Sequence, residues 1–180
     1  MLIYRLVFFK ALLLCLSAML TACKPLSEYD LMGSFFDRGT LLASGEYAPR
    51  DHWARQWKIV NVWAEWCQPC WQEIPELNQF YKQQNEKVLI PKGKIQLLGF
   101  NYDQLEIEEL AKLKETMSIE FPVLTQWPEV WEKPEIKGLP ATIIIGPNNT
   151  VKRILFGPQT LKSLNNAMSQ KMEEISKPSL

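Results

Sequence analysis

Apolar positions along the chain switch between strand-like and helix-like spacing. Residues 59–64, Ile-Val-Asn-Val-Trp-Ala, form a short and nearly continuous apolar run rich in β-branched and aromatic side chains, the pattern of a central strand buried on both faces. From Gln68 onward Ile74, Leu77, Phe80 and Tyr81 share one helical face, predicting a helix that ends near residues 84–85, with Pro75 removing a backbone bond inside it. Residues 95–100 read as the next buried strand. Leu105, Ile107, Leu110, Leu113 and Met117 then recur at helical spacing, with Asp103 placed to cap that helix. Glu106, Glu108, Glu109, Lys112, Lys114 and Glu115 mark its solvated face.

Residues 121–124 predict a short strand, followed at 127–134 by a proline-interrupted loop whose Trp127 and Trp131 are expected in the core, an exposed rim being the alternative. Strands at 142–145 and 151–156 are joined by the hairpin-type turn Gly146-Pro147-Asn148-Asn149. Leu161, Leu164, Ala167, Met168 and Met172 define a last helix over 160–175. Upstream, residues 24–50 read as a linker and then an irregular or hairpin segment. Residues 51–57 read as a short helix capped by Asp51, with His52, Trp53 and Trp57 packing. Residues 88–93 are a turn-containing excursion. The order strand, helix, strand, helix, strand, strand, helix predicts an α/β fold: a central mixed β-sheet flanked by helices on both faces, with parallel crossovers first and an antiparallel hairpin last.

A chain of 180 residues, 47% hydrophobic, holds one well-cored domain plus a leader. Its 20 basic and 20 acidic residues balance, so the charge offers no nucleic-acid footprint. At the N-terminus Arg5 and Lys10 precede an apolar run over 11–20 that is short for a bilayer span and has the charge-then-apolar order of a secretory leader. An uncleaved membrane anchor and an ordinary buried helix are the competing readings. Of four cysteines, Cys15 and Cys23 belong to this stretch, leaving Cys67 and Cys70 in the globular part without a disulfide framework.

Cys67 and Cys70 fall at the turn from the central strand into the first helix. There the backbone N–H groups lack intrahelical partners and the macrodipole is positive, so a thiolate at Cys67 is favoured. A free cysteine titrates at ~8.5, whereas values of roughly 3.5 to 7.5 occur in such motifs, enough to make Cys67 a nucleophile near neutrality. The spacing brings both sulfurs to one side of the turn, within reach of a disulfide. Pro69 is tolerated because a first-turn N–H is dispensable. Half of a structural zinc site is the plain alternative, but zinc usually takes four ligands, and the chain offers no second pair and one histidine, His52. A buried, inert pair is the other alternative.

The segment VWAEWCQPCWQEIP resembles the active site of the thioredoxin superfamily, and the wider pattern resembles the extracytoplasmic, membrane-tethered TlpA, ResA and DsbE group. That resemblance implies a thioredoxin-like fold and a thiol-disulfide oxidoreductase, without cofactor or metal, that reduces envelope protein disulfides such as apocytochrome c cysteines. Cys67 would attack and Cys70 resolve, with Trp66, Gln68, Pro69 and Leu139 contacting substrate. Gly138-Leu139-Pro140 resembles the family loop whose proline is cis and whose preceding residue pairs with the substrate backbone. Glu73 matches a glutamate associated in the ResA-like proteins with proton chemistry, the alternative being an acid suited to the helix dipole. Asn61 stands where thioredoxins carry a buried aspartate and cannot accept a proton as that residue does. Glu65 is expected to be exposed. Leu20-Thr21-Ala22-Cys23 resembles a lipobox, so the implied layout is a lipoprotein signal peptide at 1–22, lipidation at Cys23, a tether at 23–33 and a thioredoxin-like domain at 34–180, on the periplasmic face of either membrane. The implied partners are a disulfide-bonded substrate protein and a membrane electron-donor thiol protein. A disulfide-donating oxidase or isomerase, a Cu(I)-carrying thiol protein and a non-redox binding module are the other functions such residues serve.

Overall fold

The computed structural model of the chain describes residues 39–49, 52–86 and 95–176. The expected leader, Cys23, the tether, Asp51 and the 88–93 excursion lie outside the described residues. Two antiparallel two-residue strands, β1 (Thr40–Leu41) and β2 (Tyr47–Ala48), form the hairpin. Then come β3 (Trp57–Trp63), α1 (Gln68–Glu86), β4 (Ile95–Asn101), α2 (Ile107–Thr116), β5 (Val123–Leu124), β6 (Ala141–Ile145), β7 (Val151–Phe156) and α3 (Leu161–Ser176). The main sheet has five strands in the order β5-β4-β3-β6-β7. β3 runs parallel to β4, and β4 to β5, while β6 and β7 are antiparallel additions. β3 is central and buried along its whole length, as its apolar run requires.

Because side chains alternate across a strand, β3 feeds two cores. Trp57, Ile59 and Trp63 point to the first, with Leu77 of α1, Leu110 of α2 and Leu164 of α3. Val60 and Val62 point to the second, with Leu98, Ile143, Trp53 and Trp131. This is the expected thioredoxin-like α/β plan with one difference. Helices were expected on both faces, yet among the described residues the second face is covered by aromatic loops. There Trp131 packs edge-on against Trp53 at 5.6 Å and Trp127 at 6.1 Å. Both tryptophans of the proline-rich loop therefore pack into the core.

Two local expectations are corrected. Residues 52–55 form turns rather than a helix, and Trp57 already belongs to β3, opposite Ile95. A single helical turn closes few hydrogen bonds, and the ladder to β4 satisfies more. Asp103 does not cap α2. Glu106 holds the N-cap position without a side-chain bond, and the Asp103 carboxylate instead accepts from the Trp66 indole.

Lys58 was not foreseen as an interior group. It is wholly buried in β3, donates from Nζ to Asn149 Oδ1 at 2.6 Å, and lies 5.3 Å from the Trp131 ring centroid. Burial lowers its pKa from 10.5 to about 8. A base depressed in the fold contributes stability that is complete above its unfolded pKa and is lost as pH falls through about 8. Lys58→Met is therefore expected to raise Tm at pH 7 by roughly 2–6 °C. Thermal melts should show that advantage shrinking toward pH 10, and a Tm lowered equally at both pH values would contradict it.

Candidate active site

The end of β3 delivers the cysteines. After Trp63 the chain turns tightly, Cys67 N–H donating to Ala64 C=O at 3.2 Å, and α1 begins one residue later. Cys67 thus sits just ahead of the helix, and Cys70 in its first turn. The two are joined by a disulfide with Cα atoms 5.3 Å apart. They differ in access: Cys67 is 5% exposed and Cys70 not at all. Gln68 and Pro69 are exposed. Trp66 is 66% exposed and fixed in place, its Nε1 donating to Asp103 Oδ2 at 3.0 Å and its ring edge-on to Tyr102 at 6.3 Å. Glu65 is exposed, as expected, with its carbonyl accepting from the Trp71 indole.

The Leu139–Pro140 peptide is cis. Register places it at the same end of the sheet as the cysteines, because Ala141, the next residue, pairs with Val62 near the end of β3. Pro140 C=O accepts from Gly157 N–H at 2.9 Å, which ties the loop to β7. Beside it opens a groove of about 260 Å³ lined by Lys137, Gly138, Leu139, Pro140, Phe156 and Gly157. Among the described residues no hydrogen bond engages the backbone of residues 137–139, so these peptide groups are available to an extended chain.

Glu73 lies in the second turn of α1, three residues beyond Cys70 and so on the same helical face. It is buried and lies past the first turn, which sets aside the reading as an acid placed for the helix dipole. Its Oε1 accepts from Asn61 Nδ2 at 2.7 Å and its Oε2 from Gln159 N–H at 2.7 Å. Burial raises its pKa from 4.5 to about 7, the two hydrogen bonds opposing that rise. Glu76, one turn further on, accepts Leu161 N–H at 2.8 Å. Neither contact was foreseen. The three-residue spacing of Glu73 and Glu76 could have suggested that both face one partner, but a backbone N–H leaves no letter in the sequence.

A cysteine pair whose outer member opens a helix, beside a buried carboxyl and a cis proline, on a sheet of this order, defines a thioredoxin-like thiol-disulfide oxidoreductase of the TlpA/ResA type. The chain belongs to the AhpC/TSA family, which matches residues 42–154. It is 27% identical over 150 residues to the thiol-disulfide oxidoreductase ResA of Geobacillus thermodenitrificans, covering 76% of this chain and 82% of that protein. It is 24% identical over 115 residues to the thioredoxin-like protein YneN of Bacillus subtilis, covering 64% of this chain and 62% of the other. Among solved structures, StoA from Bacillus subtilis superposes with a TM-score of 0.56 at 19% identity, covering 72% of this chain and 93% of that one. A thiol:disulfide interchange protein from Chlorobium tepidum superposes with a TM-score of 0.57 at 20% identity, covering 72% and 89%.

Proposed function

We propose that this protein is a membrane-tethered reductase of disulfides in envelope proteins, with apocytochrome c cysteines as its leading substrate. The observation that carries the reading is the asymmetry of the pair: Cys67 keeps 5% of its surface exposed and Cys70 none, and Cys70 shares a helical face with Glu73. In the reduced enzyme the Cys67 thiolate attacks one sulfur of a substrate disulfide lying along Leu139 and Pro140. The substrate S–S bond breaks, a mixed disulfide forms, and the departing thiolate takes up a proton. Cys70 then gives its proton to ionised Glu73 and attacks Cys67 Sγ, releasing the second substrate thiol. The substrate gains two electrons, the pair becomes the disulfide, and a membrane electron-donor thiol protein restores it. Trp66, Gln68 and Pro69 offer the rim against which the substrate rests.

The Gln68-Pro69 spacer, which resembles the polar-plus-proline spacers of the reductase group more than the Pro-His spacer of DsbA-like oxidases, supports reduction as the direction. Lipidation at Cys23 is supported by the Leu-Thr-Ala-Cys sequence behind a charge-then-apolar leader. Two or more acyl chains hold a protein stably at a bilayer. Mass spectrometry of the mature N-terminus should find acylated Cys23, and an intact 1–22 segment would remove the lipid tether from this reading.

The direction is tested by equilibrating the full chain with dithiothreitol or glutathione buffers. A reduction potential near or below ~−270 mV, as in thioredoxin, is expected. One near ~−120 mV, as in the strong periplasmic oxidant, would make the protein a disulfide donor instead.

A further inference from the structure

Asn61 and Glu73 meet between sheet and helix in an arrangement that leaves one amide atom stranded. Asn61 is fully enclosed, and its Nδ2 donates to Glu73 Oε1 at 2.7 Å and lies 3.4 Å from Thr142 Oγ1. Its Oδ1, equally enclosed, has no partner. A buried acceptor left in this way is uncommon and costly.

The other carboxylate oxygen, Oε2, is held at 2.7 Å by the Gln159 backbone N–H, a group that can only donate. A proton added to Glu73 therefore settles on Oε1, the oxygen facing Asn61. There it would confront the amide NH₂, donor against donor. Half a turn about the Cβ–Cγ bond of Asn61 removes the conflict by bringing Oδ1 to the acid proton. Thr142 adapts without moving, since its hydroxyl can accept from Nδ2 or donate to Oδ1. The far end of the amide is unpartnered in either orientation, so the Glu73 proton decides between them.

We propose that Asn61 is a positioning residue for Glu73, its amide turning over with the protonation state of the carboxyl so that both states are hydrogen-bonded. This deepens the reading of Glu73 as proton acceptor and rests on it. An aspartate in this place would add a second negative charge, whereas asparagine leaves Glu73 as the titrating member of the pair. The ionisable groups beside Glu73 on its own helix are Cys70, here disulfide-bonded to Cys67 just ahead of the helix, and Glu76, whose Oε2 is engaged by Leu161 N–H. The partners that β3, β6 and the segment before α3 contribute are Asn61, Thr142 and the Gln159 backbone.

The test is NMR of the oxidised full chain in detergent, following the Glu73 carboxyl carbon and the Asn61 side-chain amide from pH 5 to 9. Both signals are expected to change with one midpoint, and proton–proton contacts from the Asn61 NH₂ to Thr142 are expected at pH 9 and lost at pH 5. Asn61→Asp and Asn61→Leu should each move the Glu73 midpoint upward by about one pH unit or more, and the pH profile of the resolving step with it. Contacts from Asn61 to Thr142 that persist unchanged through the Glu73 titration would overturn the proposal, as would an unmoved midpoint in both variants. If the variants fail to fold, the wild-type contacts decide alone. The carboxyl titration needs no substrate, so a chain that passes it yet reduces no disulfide refutes the functional reading and not this one.

Discussion

Cys67→Ser is expected to lower disulfide reduction by about a thousandfold or more, while Cys70→Ser leaves a protein that still attacks but accumulates covalent adducts. The difference follows from burial. An incoming disulfide can reach only a residue with some exposed area, and of the pair that is Cys67, at the positive end of α1. Cys70 has no exposed area, so its partner is delivered to it as the Cys67 half of the mixed disulfide. Turnover assays with a disulfide-bonded peptide, together with mass spectrometry under non-reducing conditions, separate the two roles. Equal residual activity in the two variants, or adducts carried on Cys70 in the Cys67 variant, would reverse the assignment.

Glu73→Gln is expected to slow the Cys70-dependent step by about a hundredfold and, at alkaline pH, to stabilise the protein. The wild-type carboxyl titrates near 7 because burial disfavours its charge. The resolving rate should therefore rise as pH passes through about 7 in the wild type, and lose that limb in the variant. Stability runs the other way. A carboxyl whose pKa is raised in the fold contributes stability that is complete below 4.5 and is lost as pH rises through about 7. That interval corresponds to at most about 3 kcal/mol. Glutamine carries no charge to bury, so the variant's Tm relative to wild type should climb between pH 5 and 8. Stopped-flow resolution of a preformed mixed disulfide and thermal melts across that range read both effects. A variant with wild-type resolving kinetics would remove Glu73 from the proton chemistry.

The sheet was legible because burial on both faces leaves few letters to choose from: residues 59–64 could hardly be anything but interior. α1 and α3 were legible through helical spacing. The site was legible where chemistry demands particular residues at fixed spacing, as at Cys67 and Cys70, or where a resemblance supplied what spacing does not, as at Pro140. What escaped shares a physical origin in partners brought from far along the chain. Asp103 has the composition of a cap, but the Trp66 indole, 37 positions earlier, claims its carboxylate. Trp53 and Trp57 are four residues apart and read as a helical pair, yet Trp57 is committed to β4 by its place opposite Ile95. Lys58 precedes the apolar run at 59–64 and its charge gives no sign of burial, but the strand begins one residue before it. The Gln159 contact is made by main chain and would exist whatever side chain stood there.

That last contact also bears on the order in which the protein is made. Glu73 receives its backbone donor from a residue 86 positions downstream, and Glu76 from one 85 positions downstream. During synthesis the cysteines are therefore made long before either donor exists. Until the segment before α3 docks, the Glu73 carboxyl lacks its Gln159 donor. The surroundings of Glu73 and Glu76 are thus completed only when the last part of the chain is in place.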